Sequence, residues 1–143
     1  MSSNYLHYHY VVPGDDFTQA GMASGAVKQI LKQLGINPQT VRKMSISLYE
    51  GEINMVIHAG GGEIDVDIDD EKIVAVLTDH GPGIENIELA MQDGWSTATE
   101  QVRGLGFGAG MGLPNMKKYS DELLIESKVG VGTTVTITVN IDN

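Results

Sequence analysis

Asn37-Pro38 opens, and Gly60-Gly61-Gly62 closes, a stretch whose apolar residues fall on two sides of a single helix. Asparagine before proline is an N-cap followed by a first-turn residue, and the glycine triplet stops the helix. Val41, Leu48, Met55 and Ala59 line one side, and Ile46, Ile53 and Ile57 line another. A helix that is apolar on two faces is covered on both, so it is expected to be sandwiched in the core.

The rest of the chain supplies what could cover it. Residues 5–12 are aromatic and β-branched, end at Pro13-Gly14 and suit a first strand. Ala20, Ala23, Val27, Ile30 and Leu34 recur at helical spacing, with Gly35 as a C-cap. Ile64, Val66 and Ile68 alternate with Glu63, Asp65 and Asp67 as a half-exposed strand, and after a turn the apolar run 73–77 reads as a buried one. Residues 85–93 suit a short helix, and the polar stretch 94–103 suits a loop. Residues 123–127 and 133–141 form a second hairpin around KVGVG, with Val135, Ile137, Val139 and Ile141 facing inward against Thr134, Thr136 and Thr138. There are no repeats, linkers or low-complexity tracts.

At 143 residues the expectation is one domain over 1–143 with one core. Nineteen acidic against nine basic residues give a formal charge of −10, which repels nucleic acid and anionic membranes. Without cysteine there is neither a disulfide framework nor a thiolate metal site. No apolar segment reaches membrane-spanning length and the N-terminus lacks a leader pattern, so a soluble, cytoplasmic protein is expected. His7 and His9, two apart on one strand face, have no carboxylate or third histidine near them in sequence and read as strand-surface histidines rather than metal ligands.

The run RGLGFGAGMGLPNMKK has glycine at every second position over 104–112. The dinucleotide pattern G-x-G-x-x-G/A needs a strand directly before it, which STATEQVR does not supply, and no Gly-Lys-Ser/Thr follows as in a phosphate loop. A flexible hairpin or surface loop accounts for an isolated glycine cluster. This cluster leads into Leu113-Pro114, where a helix would aim unpaired N–H groups and its positive dipole end at the loop, the makings of an anion site.

Two further signals accompany it. In LTDHGPGI, Asp79 ends an apolar strand and precedes Gly81 and Gly83. Such a carboxylate is suited either to capping a tight turn or to accepting a hydrogen bond from an exocyclic amine. In YEGEINMVIHA, Glu50 and Asn54 project from one helix face a turn apart. The carboxylate can act as a base and the carboxamide oxygen as a hard ligand for Mg²⁺.

In this order, E-x-x-x-N, D-x-G-x-G and the glycine run before a helix resemble the nucleotide site of the GHKL ATPases. That superfamily includes gyrase, Hsp-type chaperones, mismatch-repair ATPases, histidine kinases and bacterial anti-sigma serine kinases. VGTTVTI resembles its late G-T element. Histidine kinases carry a further phospho-accepting domain and gyrase-like enzymes a transducer domain, so the stand-alone anti-sigma and switch serine kinases fit this length best, and GLP after the glycines is similar to the switch-kinase branch. The resemblance implies an α/β two-layer sandwich, a mixed, mostly antiparallel sheet with helices on one face.

It also implies roles. Asp79, beside Gly81 and Gly83, would take the adenine amine of ATP with Thr133 in support, and Asn54 would coordinate Mg²⁺. Gly106, Gly108, Gly110 and Gly112 would wrap the phosphates as a lid. Glu50 would take the proton of a serine or threonine hydroxyl on a small STAS-domain partner as that hydroxyl attacks the γ-phosphate. The rival is a non-catalytic or slowly hydrolysing module that uses ATP to hold its shape and sequesters a sigma factor or another regulator; a homodimer is left open. Arg103 and Lys117 are either phosphate contacts or solvated. Two departures stand out. GFGAGMG is richer in glycine than the usual G-x-G-x-G, which leaves the register of phosphate contacts open. Gly51 inside the helix costs about 1 kcal/mol relative to Ala, which a close backbone or ligand approach would explain.

Overall fold

A computed structural model describes residues 6–14, 19–84, 87, 91 and 112–141. The elements are β1 (Leu6–Pro13), α1 (Met22–Gln33), α2 (Pro38–Ala59), β2 (Gly61–Ile68), β3 (Lys72–Thr78), α3 (Gly112–Tyr119), β4 (Glu122–Lys128) and β5 (Gly132–Asn140). The five strands form one sheet in the order β1-β2-β3-β5-β4. The expected two-layer sandwich is present. Each pairing among the described strands is antiparallel: β2–β3 and β4–β5 are hairpins, and the chain enters β2 at the end of the sheet where it left β1, with Pro13 opposite Gly61.

Period-2 patterning decides which face is covered. Ile64, Val66 and Ile68 of β2, Ile73, Ala75 and Leu77 of β3, and Val135, Ile137 and Val139 of β5 point into the core with Leu48, Met44, Val56 and Met55 of α2. The opposite face carries His7, His9, Asp65, Asp67, Val74, Val76, Thr134, Thr136 and Thr138, none of them fully buried. The run 73–77, read as wholly buried, therefore alternates: Val74 and Val76 belong to the uncovered face even in the middle strand.

As its two apolar sides require, α2 lies on the sheet with α1 against one flank and α3 against the other. The Asn37 side chain accepts from the Thr40 N–H at 2.9 Å, and Gly60 ends the helix in a left-handed conformation. In α1 Val27 and Leu31 are fully buried, while Leu34 is 46% exposed: the helix ends at Gln33, and Gly35 with φ 75° turns the chain so that the Ile36 N–H donates back to Leu31 O.

The start of α1 has no side-chain cap of its own. Its donors are met from α2 by Glu52, 1% exposed, whose carboxylate accepts from the N–H groups of Gly21 (2.9 Å), Ala23 (3.2 Å) and Ser24 (2.9 Å). A buried carboxylate is tolerable because three backbone donors and the positive end of a helix surround it.

Candidate functional site

The geometry begins where β3 ends. Beyond Thr78 the ladder with β5 continues for one residue: the Asp79 N–H donates to Thr133 O at 2.9 Å. The Asp79 side chain is held in place by two donors to one oxygen, with the N–H groups of Thr133 (3.1 Å) and Gly81 (3.0 Å) both directed at Oδ1. Oδ2 takes no bond from any described residue. One oxygen thus caps the turn, and the other is left as an open acceptor at a strand end.

The turn residues are fixed sterically. A Cβ on Gly81 would fall 2.6 Å from the Ala59 Cβ and 2.7 Å from its Cα. Gly83 has φ 81°, and a Cβ there would lie 2.5 Å from Lys128 O. Thr133 is 7% exposed and its hydroxyl lies 2.8 Å from that of Ser127. Ser127 Oγ also accepts from the Ile84 N–H at 2.8 Å and lies 3.3 Å from Gly132 O. With the Ser127 hydroxyl donating to Gly132 O, Thr133 donates to Ser127 Oγ and keeps lone pairs for a ligand amine. Sequence reasoning missed Ser127; the signal for it is the hairpin register, which sets Ser127 opposite Thr133.

Because Gly81 rests on Ala59, this corner sits at the C-terminal turn of α2. Counting back at 1.5 Å per residue, Asn54 lies about 7.5 Å and Glu50 about 13.5 Å along the axis from Ala59. Asn54 is half-buried, and its carboxamide has no hydrogen-bond partner among the described residues. Glu50 is half-buried as well, and burial pushes its carboxyl above the ordinary range, opposed by a hydrogen bond from Asn115. That bond runs from Asn115 Nδ2 to Glu50 Oε2 at 3.5 Å. Asn115 was not among the expected residues, because nothing in the spacing of α3 shows which of its side chains faces α2.

Of the glycines expected to wrap phosphates, Gly112 is the first residue of α3. Gly106, Gly108 and Gly110, with Arg103 and the expected loop 94–103, lie outside the described residues. Within 85–93, Ile87 and Met91 are joined by a helical bond from the Met91 N–H to Ile87 O at 3.0 Å. Lys117 is exposed on α3.

The two histidines are exposed, as expected, but carboxylates do surround them. Antiparallel pairing with β2 sets His7 Nδ1 2.6 Å from Asp67 Oδ1 and His9 Nδ1 2.7 Å from Asp65 Oδ1. The hydrogen bond to Asp67 raises the His7 pKa. No group of three or more His, Asp or Glu side chains among the described residues is disposed to hold a metal ion.

The model of the histidine kinase-like ATPase domain matches residues 15–139. The chain belongs to the histidine kinase-like ATPase family. Among its relatives in that family is serine/threonine-protein kinase RsbT of Bacillus subtilis (strain 168), 30% identical over 112 residues that cover 76% of this chain and 78% of RsbT. Anti-sigma F factor of Caldanaerobacter subterraneus subsp. tengcongensis is 34% identical over 121 residues, 81% of each chain. Among solved structures, that of the RsbU and RsbW domains of a Mycobacterium tuberculosis protein contains a part with this fold, with a TM-score of 0.64 at 16% identity, covering 99% of this chain and 33% of that one. The chain thus spans about a third of that solved protein, and the likeness concerns the fold. No described helix is long and apolar enough to cross a membrane.

Proposed function

We propose that this histidine kinase-like ATPase domain is a cytoplasmic serine/threonine protein kinase of the anti-sigma and switch-kinase type, passing the γ-phosphate of Mg·ATP to a hydroxyl of a small STAS-type partner. The observation that carries the reading is the order of groups along α2. An open carboxylate oxygen lies at its C-terminal end, an unengaged carboxamide comes next, and a half-buried carboxylate of raised pKa lies further back beside α3. A nucleoside triphosphate lying along the helix would meet these groups in the order base, phosphates, reacting phosphorus.

Asp79 Oδ2 accepts from the adenine amine, Thr133 Oγ1 supports it, and the side-chain-free turn at Gly81 and Gly83 admits the flat ring. Asn54 fits Mg²⁺, since its oxygen is free among the described residues and Mg²⁺ needs few protein ligands when phosphates and water complete its shell. Bound there, the ion neutralises phosphate charge. Gly106, Gly108, Gly110 and Gly112 would serve the phosphates, which the positive end of α3 also favours. Glu50 receives the acceptor hydroxyl proton, and burial suits it to that task by making it a stronger base than a solvated carboxylate.

A second reading has support in the relatives named anti-sigma F factor: a module that sequesters a sigma factor, alone or as a homodimer, with phosphorylation secondary. Incubation with γ-labelled ATP and candidate STAS proteins, run for the wild type and Glu50→Ala, separates the two. The kinase reading predicts label on a partner's Ser or Thr and a loss of about 10²- to 10⁴-fold on removing the base, with nucleotide affinity little changed. A partner bound in an ATP-dependent manner but never labelled, or full biological activity of Glu50→Ala, establishes the sequestering module instead.

A further inference from the structure

The contact between α2 and α3 holds more than packing. Glu50 is followed by Gly51, which is buried in the middle of α2. A Cβ at Gly51 would lie 2.5 Å from Leu77 Cδ2 and 3.2 Å from Met116 Sδ. The missing side chain is thus what lets Met116, 1% exposed, sit down on the helix backbone. Asn115 precedes Met116 and is carried by the same seating to Glu50, where its Nδ2 stands 3.5 Å from Oε2. At that length the bond is weaker than one of about 2.9–3.0 Å.

We propose that Asn115 is the positioning residue for Glu50: it engages Oε2 and leaves Oε1 directed at the acceptor hydroxyl. The inference rests on the kinase reading above. In the transfer, the acceptor O–H bond breaks and its proton goes to Oε1. The hydroxyl oxygen forms its bond to the γ-phosphorus while the bond from that phosphorus to the β,γ-bridging oxygen breaks, and the electron pair leaves on ADP. A carboxylate free to rotate would offer either oxygen, in many directions. One fixed by a neutral donor keeps its charge and its aim, and the donor stabilises the ionised form that burial opposes. Asn serves here where a basic residue would not, since a cation would stabilise the carboxylate so far that it lost its basicity.

The direct test is a ¹³C NMR titration of the Glu50 carboxyl in the full chain, comparing the parent with Asn115→Ala and Asn115→Asp. The midpoint moves up in Asn115→Ala and further in Asn115→Asp, where a second carboxylate faces the first. In parallel, phosphate release from Mg·ATP is followed, with water standing in for the acceptor hydroxyl. Asn115→Ala lowers kcat about tenfold with KM for ATP unchanged, and the acid limb of its pH profile moves up with the NMR midpoint. An unmoved Glu50 midpoint in both variants, or a parental pH profile in Asn115→Ala, overturns the assignment. Parental turnover in Glu50→Ala overturns instead the reading of Glu50 as the base, whatever the titration shows, so the two failures are told apart.

Discussion

Replacing Gly51 by alanine sets two effects of known size against each other. In an exposed helix the change stabilises by about 1 kcal/mol, since glycine is the poorer helix former. Here the new methyl would lie 2.5 Å from Leu77 Cδ2 and 3.2 Å from Met116 Sδ. Leu77 is 2% and Met116 1% exposed, so neither has open space to move into. Overpacking of that kind costs about 1–3 kcal/mol, which outweighs the helix term and leaves Gly51→Ala destabilised by about 0–2 kcal/mol. A functional loss is expected beside any stability loss. Restoring ordinary contact distance at Met116 pushes α3 off α2 by a few tenths of an ångström, and the 3.5 Å Asn115–Glu50 bond has no slack. Urea unfolding and phosphate release from Mg·ATP, measured on the same preparation, are the assays. The expected result is a folded protein with the midpoint unchanged or lowered and kcat down about tenfold. A variant stabilised by the full helix increment, with parental turnover, refutes the claim that the missing side chain seats α3.

The two carboxylates flanking Gly51 should respond oppositely to neutralisation. Glu52→Ala strips three backbone N–H groups of their acceptor and is expected to cost about 2–4 kcal/mol in urea unfolding, with Glu52→Gln in between. Glu50→Gln should instead raise the melting temperature at neutral pH. Because burial raises the Glu50 pKa in the folded chain, the folded state holds its proton to higher pH than the unfolded state, and stability falls as pH rises through that window. The gain from Glu50→Gln is therefore present above the folded pKa and gone below about pH 4, as thermal melts across pH will show. Asn54→Ala should weaken ATP binding and phosphate release together when Mg²⁺ is present, with little effect on nucleotide binding measured in EDTA.

What was legible in the sequence was whatever a short-range pattern determines. The bounds of α2 follow from Asn37-Pro38 and Gly60, the covered face of β2 and β5 from strict alternation, and the corner at Asp79 from D-x-G-x-G. What escaped depended on long-range pairing. His7 and His9 have no carboxylate neighbour along the chain, and acquire Asp65 and Asp67 only through the β1–β2 register. Ser127 joins Thr133 only across a hairpin, and Asn115 meets Glu50 only across the packing of α3 on α2. Glu52 escaped for another reason. A glutamate on a helix is ordinarily solvated, and its burial makes sense only once the uncapped start of α1 is seen above it.

The central claim is that the corner built by Asp79 and Thr133, continued along α2, is a nucleotide site. Isothermal titration of Mg·ATP into the wild type and into Asp79→Asn tests it most directly. The carboxamide of the variant can still cap the turn with its oxygen but presents an N–H₂ where Oδ2 stood, so it would repel the adenine amine that the carboxylate is proposed to accept. The account predicts a saturable heat for the wild type and affinity reduced at least tenfold in Asp79→Asn, with the fold intact by circular dichroism. A wild type that shows no heat with Mg·ATP at millimolar concentration would contradict it.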